Sequence, residues 1–214
     1  MIKILGQIPR YIHIAVSGGS DSMACLEFLR NSNRNISAIF FDHGTAESAA
    51  GRALVKRYCY HNDIPCIMGH IQRFKKKNES WEEYWRNERY NFFSSYHVPT
   101  ITCHHLDDCV EEYLINTIKR GRLGTINDQV FYHRTLILRP FLLNRKQILI
   151  DFCDKHNIEY ITSGGNDLRS KIRSSLIPTI IKDINPGIHK LVKKMILDRD
   201  KQQSCLASTI NSCT

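Results

Sequence analysis

The stretch Tyr11 to Glu27, YIHIAVSGGSDSMACLE, runs an apolar series (Ile12, Ile14, Ala15, Val16) into two glycines, then into Ser20, Asp21, Ser22 and a helical pattern. That order spells a strand, a tight turn and the first turn of a helix. Gly18 and Gly19 reach backbone angles closed to other residues and, lacking Cβ atoms, let a bulky anion approach the main chain. The N–H groups and positive dipole end of the following helix favour negative charge, so a phosphate site is the expectation. A plainer reading makes Ser20 the N-cap of an ordinary strand-to-helix turn. The stretch is neither a Walker loop, which needs GK[ST], nor the dinucleotide fingerprint G-x-G-x-x-G.

The same alternation continues outward. Ile36 to Phe41 reads as a second strand, Ala46 to His61 as a helix ended by Asn62-Asp63, and Pro65 to Ile71 as a third strand. Glu79 to Tyr96 carries Trp81, Tyr84, Trp85 and Phe92 at helical spacing, with Trp81 and Trp85 read as core rather than as a platform for bases. Val98 to Cys103 is a fourth strand, Leu106 to Arg120 a helix stopped by Gly121, and Leu136 to Leu138 a fifth strand. Helices of this length between buried strands predict an α/β fold: a doubly wound, mostly parallel five-stranded sheet, its crevice at the carboxyl ends of the strands. Gly18-Gly19, Asp42-His43-Gly44 and the segment after Cys103 all fall at such ends.

After Gly124 the pattern loosens, and beyond the fifth strand a C-terminal helical extension follows. Asn144 to Asn157 reads as a helix, Ile158 to Ile161 as a short extended piece and Gly164 to Asp167 as a turn. From Arg169 to about Cys205 one or two helices follow, broken by Pro178 and by Asn185-Pro186-Gly187. The division expected is residues 1–142 as a ligand-binding catalytic unit and residues 143–214 as the extension.

The 214 residues suffice for a real core, and 30 Lys and Arg against 21 Asp and Glu leave a formal charge of +9. The excess gathers at Arg73 to Lys77, Lys119 to Arg122, Arg145-Lys146 and Arg169 to Arg173. Such clusters are the footprint of a nucleic-acid partner, the alternative being a solvated basic surface. No apolar run is long enough to span a bilayer and no secretory h-region is visible, so the expectation is a cytoplasmic chain without membrane contact, or a stromal or matrix one if organelle-encoded. Eight cysteines occur singly with no CxxC pair, which argues for reduced thiols and against zinc or iron–sulfur ligation.

A second constellation, His104-His105-Leu106-Asp107-Asp108-Cys109-Val110-Glu111-Glu112, opens a helix directly after a strand. Asp108, Glu111 and Glu112 stand at i, i+3 and i+4 and share a helix face, with Asp107 at its mouth. Carboxylates there either complement the helix dipole or orient a hard cation such as magnesium and a cationic nucleophile.

In its five fixed positions, Ser17, Gly18, Gly19, Asp21 and Ser22, the first stretch resembles SGGxDS, the PP-loop of N-type ATP pyrophosphatases. With FDHG, WRNERY, CHHLDDCVEE, KRG, LRPFL and RSKIRSSLIP in that order, Ile12 to Pro178 resembles the N-terminal catalytic domain of the tRNA(Ile)-lysidine synthetases. The resemblance implies an ATP-dependent ligase whose partner is tRNA(Ile) with a CAU anticodon, whose second substrate is free lysine and whose fold is of the adenine nucleotide alpha hydrolase type. It places ATP on Ser17, Gly18, Gly19, Ser20, Asp21, Ser22, His43 and Gly44, with Asp21 a possible magnesium contact. Catalysis would fall to Asp21, Asp107 and Asp108, either of the last two holding the lysine ammonium and removing a proton. Arg86, Arg89, Lys119, Arg120, Arg169 and Arg173 would contact phosphates of ATP or tRNA. Arg86 also has Glu82 and Glu83 one helical turn back as pairing partners, and His43 and His105 also fit as buried, hydrogen-bonded histidines.

Cys109 and Glu112 depart from the family's HHxDDQxET, the loop before Arg169 is short, and Ser170 replaces an asparagine. Most full-length relatives carry C-terminal tRNA-binding domains, which are expected to be absent at this length, and relatives are often homodimers. Two rivals stay open: a cytidine-thiolating PP-loop enzyme, which typically needs CxxC pairs, and an inactive relative that only binds tRNA or nucleotide.

Overall fold

The computed structural model describes residues 1–162 and 168–212, with 203–212 as helical backbone alone. The strand expected from the opening stretch is β1 (Tyr11–Val16), the inner strand around which the sheet is built. It pairs in parallel with β2 (Asn35–Asp42) on one side and with β4 (Thr100–Ile101) on the other. β3 (Cys66–His70) extends the sheet beyond β2, and β6 (Thr135–Leu138) extends it beyond β4.

The fold is α/β and mostly parallel as expected, but the sheet has six strands in the order β3-β2-β1-β4-β6-β5, not five. The additional strand, β5 (Gln129–Tyr132), turns back on β6 through His133 at φ 51° and pairs with it antiparallel. Its QVFY carries strand-forming residues but is only four residues long and does not alternate, and three of the four are exposed, so the sequence pattern did not single it out. β4 is also shorter than Val98 to Cys103, because only Thr100 and Ile101 pair with both neighbours.

β2 shows how the two faces are covered. Ala38 and Phe40 join the cluster of Leu26 from α1 (Ser20–Arg30), Val55 from α2 (Ala46–His61) and Leu149 from α5 (Lys146–Lys155). Ile39 and Phe41 point the other way, onto Phe93 of α3 (Trp81–Ser94). That period of two is what a strand buried on both sides requires. A further cluster joins Leu106 and Val110 of α4 (Leu106–Leu114) to Ile188, Val192 and Ile196 of α8 (Ile188–Ser212).

Pro178 does not break its helix. α6 (Leu168–Lys171) and α7 (Ile177–Thr179) are joined by a π turn at Ile172–Leu176, and a second π turn at Ile180–Ile184 follows. A wider turn shifts the hydrogen-bond register where proline offers no N–H and its ring crowds the preceding carbonyl. The break comes instead at Asn185-Pro186-Gly187, where the Asn185 side chain accepts the Gly187 N–H at 2.8 Å. Another π turn, Ile115–Lys119, prolongs α4 as far as Gly121. Ile158 to Ile161 supplies only a single bridge, in which Ile161 N–H donates to Gly18 O at 2.9 Å; the turn read at Gly164 to Asp167 lies outside the described residues.

Candidate active site

β1 delivers Ser17, Gly18 and Gly19 to its carboxyl end, and α1 starts at Ser20 with Gly19, not Ser20, as its N-cap and no side chain closing the helix mouth. The serines brace the loop instead: Ser22 Oγ accepts Ser17 N–H at 3.1 Å and donates to Gly19 O at 3.0 Å. Gly18 sits at φ +87°, and a Cβ there would lie 2.9 Å from Gly51 Cα. Gly51 of α2 is the reciprocal constraint, since its own Cβ would stand 2.3 Å from Ser17 O. No motif marked Gly51; only its place six residues after Thr45, the N-cap of α2, sets it against the loop.

α4 faces this loop across the crevice. Its N-cap is His105, 1 % exposed, whose Nδ1 accepts Asp108 N–H at 3.3 Å while Asp108 Oδ2 accepts His105 N–H at 3.0 Å. His105 Nε2 lies 3.6 Å from Asp21 Oδ2, so one buried imidazole connects the two helix mouths. Burial lowers the His105 pKa, but Asp108, Asp21 and Asp107 outweigh it and hold it above the usual value. Burial raises Asp21, yet His105, Lys146 and Arg173 prevail, so its carboxyl stays below the ordinary range and ionised.

Between the two helix mouths is a cavity of about 430 Å³, lined by Ser17, Gly19, Asp21, Ser22, His43, Arg89 and Asp108 among others. Desolvation, then the charge of Arg89, pushes His43 down to about 4, which leaves it neutral at pH 7. Arg89 lies over the Tyr90 ring at 5.6 Å, with Arg86 at 5.3 Å from the same ring. Arg139, 5 % exposed, donates to neutral acceptors there, Asn127 O at 2.7 Å and Tyr90 Oη at 3.4 Å. Arg89 thus brings positive charge to the cavity itself, and Arg86 and Arg139 act on its His104 from behind.

The other expected residues go elsewhere. Asp107 turns from the cavity to Arg145 Nε at 2.9 Å, Lys146 N–H at 2.7 Å and His189 Nε2 at 3.1 Å. Among the described residues Arg86 makes no ion pair with Glu82 or Glu83; Glu82 instead lies 3.6 Å from Arg169. Arg169 binds Glu112 at 2.8 Å, and Arg173 binds Glu111 at 2.6 Å and approaches Asp108 at 3.5 Å. Arg120 pairs with Glu112 at 2.8 Å, and Lys119 is exposed on the π turn beyond α4. Gly44 sits at φ +74°, its N–H donating to Asp42 at 2.8 Å. Glu111 is fully buried and its carboxyl is raised by burial despite Arg173. Trp81, expected in the core, is 58 % exposed.

Asp21 is the one carboxylate at the loop's helix mouth, and among the described residues no cluster of three or more His, Cys, Asp or Glu side chains forms a metal cage. That donor set fits magnesium, which takes one or two protein carboxylates and draws its remaining ligands from phosphates and water. Among the described residues no helix is long and apolar enough to cross a membrane.

The model of a family described as a PP-loop domain matches residues 4–182. A tRNA(Ile)-lysidine synthase of Francisella philomiragia is 28% identical over 204 residues, covering 90% of this chain and 51% of that protein. One from Chlamydia abortus is 28% identical over 178 residues, 77% of this chain and 56% of that protein. The bifunctional protein TilS/HprT of Listeria monocytogenes is 30% identical over 197 residues, 82% of this chain and 30% of that protein. The chain thus spans about half the length, or less, of these relatives. In fold it is similar to an NH3-dependent NAD synthetase of Campylobacter jejuni, with a TM-score of 0.54 at 13% identity over 90% of this chain and 86% of that one.

Proposed function

The chain belongs to the PP-loop domain family, whose loop implies ATP binding, and from that premise we propose that it ligates lysine to the wobble cytidine of tRNA(Ile) with a CAU anticodon. One observation carries the reading: the open N-terminus of α1 and the Asp108 carboxylate line one cavity at the carboxyl ends of β1 and β4. The triphosphate of ATP rests on the N–H groups of the Ser17–Ser22 loop and the dipole of α1, with the nucleoside toward His43 and Gly44. The cytosine O2 attacks the α-phosphorus, the bond to the β-phosphate oxygen breaks and pyrophosphate leaves. Asp21 would hold magnesium, which would supply neutralisation of charge on that leaving group.

Lysine then attacks ring position two of the cytosine, a C–N bond forms, the C–O bond breaks and AMP departs. Of the two aspartates we assign the ammonium contact and proton acceptance to Asp108, because it lines the cavity while Asp107 is engaged by α5 and α8. Arg89, which lines the cavity, is assigned a phosphate contact, and Arg86, over the same Tyr90 ring, adds positive charge behind it. Arg169 and Arg173 act through the α4 carboxylates that they hold. The names of the lysidine synthases and the basic surface support tRNA as the acceptor.

Purified protein with ATP, radiolabelled lysine and CAU-anticodon isoleucine tRNA tests the reading. Label should enter the tRNA with one AMP released per lysine. ATP binding without any incorporation would sink it.

A further inference from the structure

We propose that the loop before α3 and the first turn of that helix form a stacking site for unpaired bases flanking the target nucleotide, a proposal that rests on the RNA substrate above. Four rings run outward from the cavity in edge or tilted contact. Phe41 and His43 meet at 5.1 Å, His43 and Trp85 at 5.8 Å, and Trp85 and Trp81 at 5.6 Å. Phe41 and His43 line the cavity, while Trp81 ends the series in solvent at 58 % exposure. Trp85 Nε1 and His43 Nδ1 are buried without a hydrogen-bond partner among the described residues, a donor and a ring nitrogen left over along the series.

The loop that precedes this series is held firmly, yet it presents apolar surface to water. Arg73 lies over the Tyr84 ring at 4.7 Å and binds Glu79 at 2.8 Å and Glu88 at 2.7 Å, while the Tyr84 hydroxyl donates to Arg73 O. Lys75 Nζ donates to Glu79 O at 2.6 Å and stands 5.4 Å from the Trp81 ring centre. On this braced frame Phe74 is 98 % exposed, and Lys76 and Lys77 beside it are exposed as well. A phenyl ring left in water on a floppy loop would be unremarkable. Fixed in place beside the exposed Lys76 and Lys77 and seven residues before an exposed indole, it has the composition of a single-strand binding surface. Rings offer a face to any base, and lysines follow the backbone phosphates. The ring series then connects that surface to the cavity, so a strand lying on Phe74 and Trp81 brings its next nucleotide to the mouth beside His43.

The test is binding of a fluorescent RNA hairpin carrying the CAU anticodon loop, measured alongside ATP binding. Phe74→Ala and Trp81→Ala should each weaken the hairpin about ten-fold, the loss of one base stack, with ATP affinity unchanged and Trp81→Phe close to wild type. The double change Lys76→Ala, Lys77→Ala should reduce the salt dependence of log K by roughly 1.5. Equal hairpin affinity in wild type, Phe74→Ala and Trp81→Ala overturns the stacking site and leaves the lysidine reading intact. Failure of the wild-type protein to bind the hairpin overturns both. Both rings are exposed, so neither change empties the core; an acidic peptide that binds in their place, with RNA unaffected, would assign this face to a protein partner and overturn the proposal.

Discussion

Asp107 Oδ2 accepts the backbone N–H of Lys146 at 2.7 Å, so a side chain from the mouth of α4 closes the mouth of α5. Arg145, the N-cap of α5, supplies no capping side chain of its own and instead grips the other oxygen of Asp107 at 2.9 Å. His189 reaches that same oxygen from α8 at 3.1 Å. One carboxylate thereby fastens three helices. Burial raises its pKa, but these three donors outweigh burial and hold it well below the usual range.

Asp107→Ala should lower the unfolding free energy by about 2 kcal/mol, the loss of a cap plus a charged hydrogen bond. Urea denaturation measures it. A change below about 0.5 kcal/mol, the scale of an ordinary surface substitution, would dismiss the fastening role.

Gly51→Ala places a methyl 2.3 Å from Ser17 O, a backbone atom that cannot swing aside. Either α2 or the loop must move, at about 1–3 kcal/mol, and ATP affinity should drop by more than ten-fold because loop geometry is disturbed. Nucleotide titration together with thermal melting separates the two effects, and unaltered affinity would show that the contact is slack.

Arg173→Ala leaves Glu111 buried without its closest cation, the pair being 2.6 Å apart. The arginine is 44% exposed, which softens the loss to about 2 kcal/mol. Adding Glu111→Gln should restore part of that stability because no buried carboxylate remains. A double variant as unstable as the sum of the two singles would refute the coupling.

Acid should weaken the fold through His43. Its pKa is about 4 in the folded chain against 6.5 ordinarily, with burial the main cause and Arg89 the second. Between those values the unfolded chain takes up a proton that the folded chain refuses, so stability falls as pH drops from 6.5 to 4. In His43→Gln, urea midpoints should decline less steeply over that window than in wild type. Parallel profiles would locate the acid sensitivity elsewhere.

The parts of the fold carried by local pattern were legible: β1, β2, α1 and α2 follow from apolar alternation and from the Gly18-Gly19 turn. β5 was not, because its stability comes from pairing with β6 rather than from burial of its own side chains. Helix spacing placed Trp81 and Trp85 on one face, yet period alone does not tell how far a face extends beyond the sheet it covers, and Trp81 overhangs it. The motif positions around Ser17 and Asp108 converge on one cavity. What the motifs could not reveal is how their charges are shared out. Asp107 and Asp108 are neighbours in sequence, but the turn of α4 sends one to α5 and α8 and the other to the cavity, a division that depends on Arg145 and His189 far along the chain.

The place of β1 between β2 and β4 also sets an order of assembly. Its partner residues on β2 lie at 35 to 40, whereas those on β4 lie at 100 and 101. Closing the short loop comes early and closing the long one late, since the entropy of the intervening chain must be overcome before the distant contact returns anything. The Ser17–Ser22 loop with β1, α1 and β2 can therefore gather while the chain that carries His105 and Asp108 is still unformed or still emerging from a ribosome. Ligand competence arrives last, as a docking event between two halves of one sheet, and nucleotide binding followed during refolding reports on that final step rather than on the collapse before it.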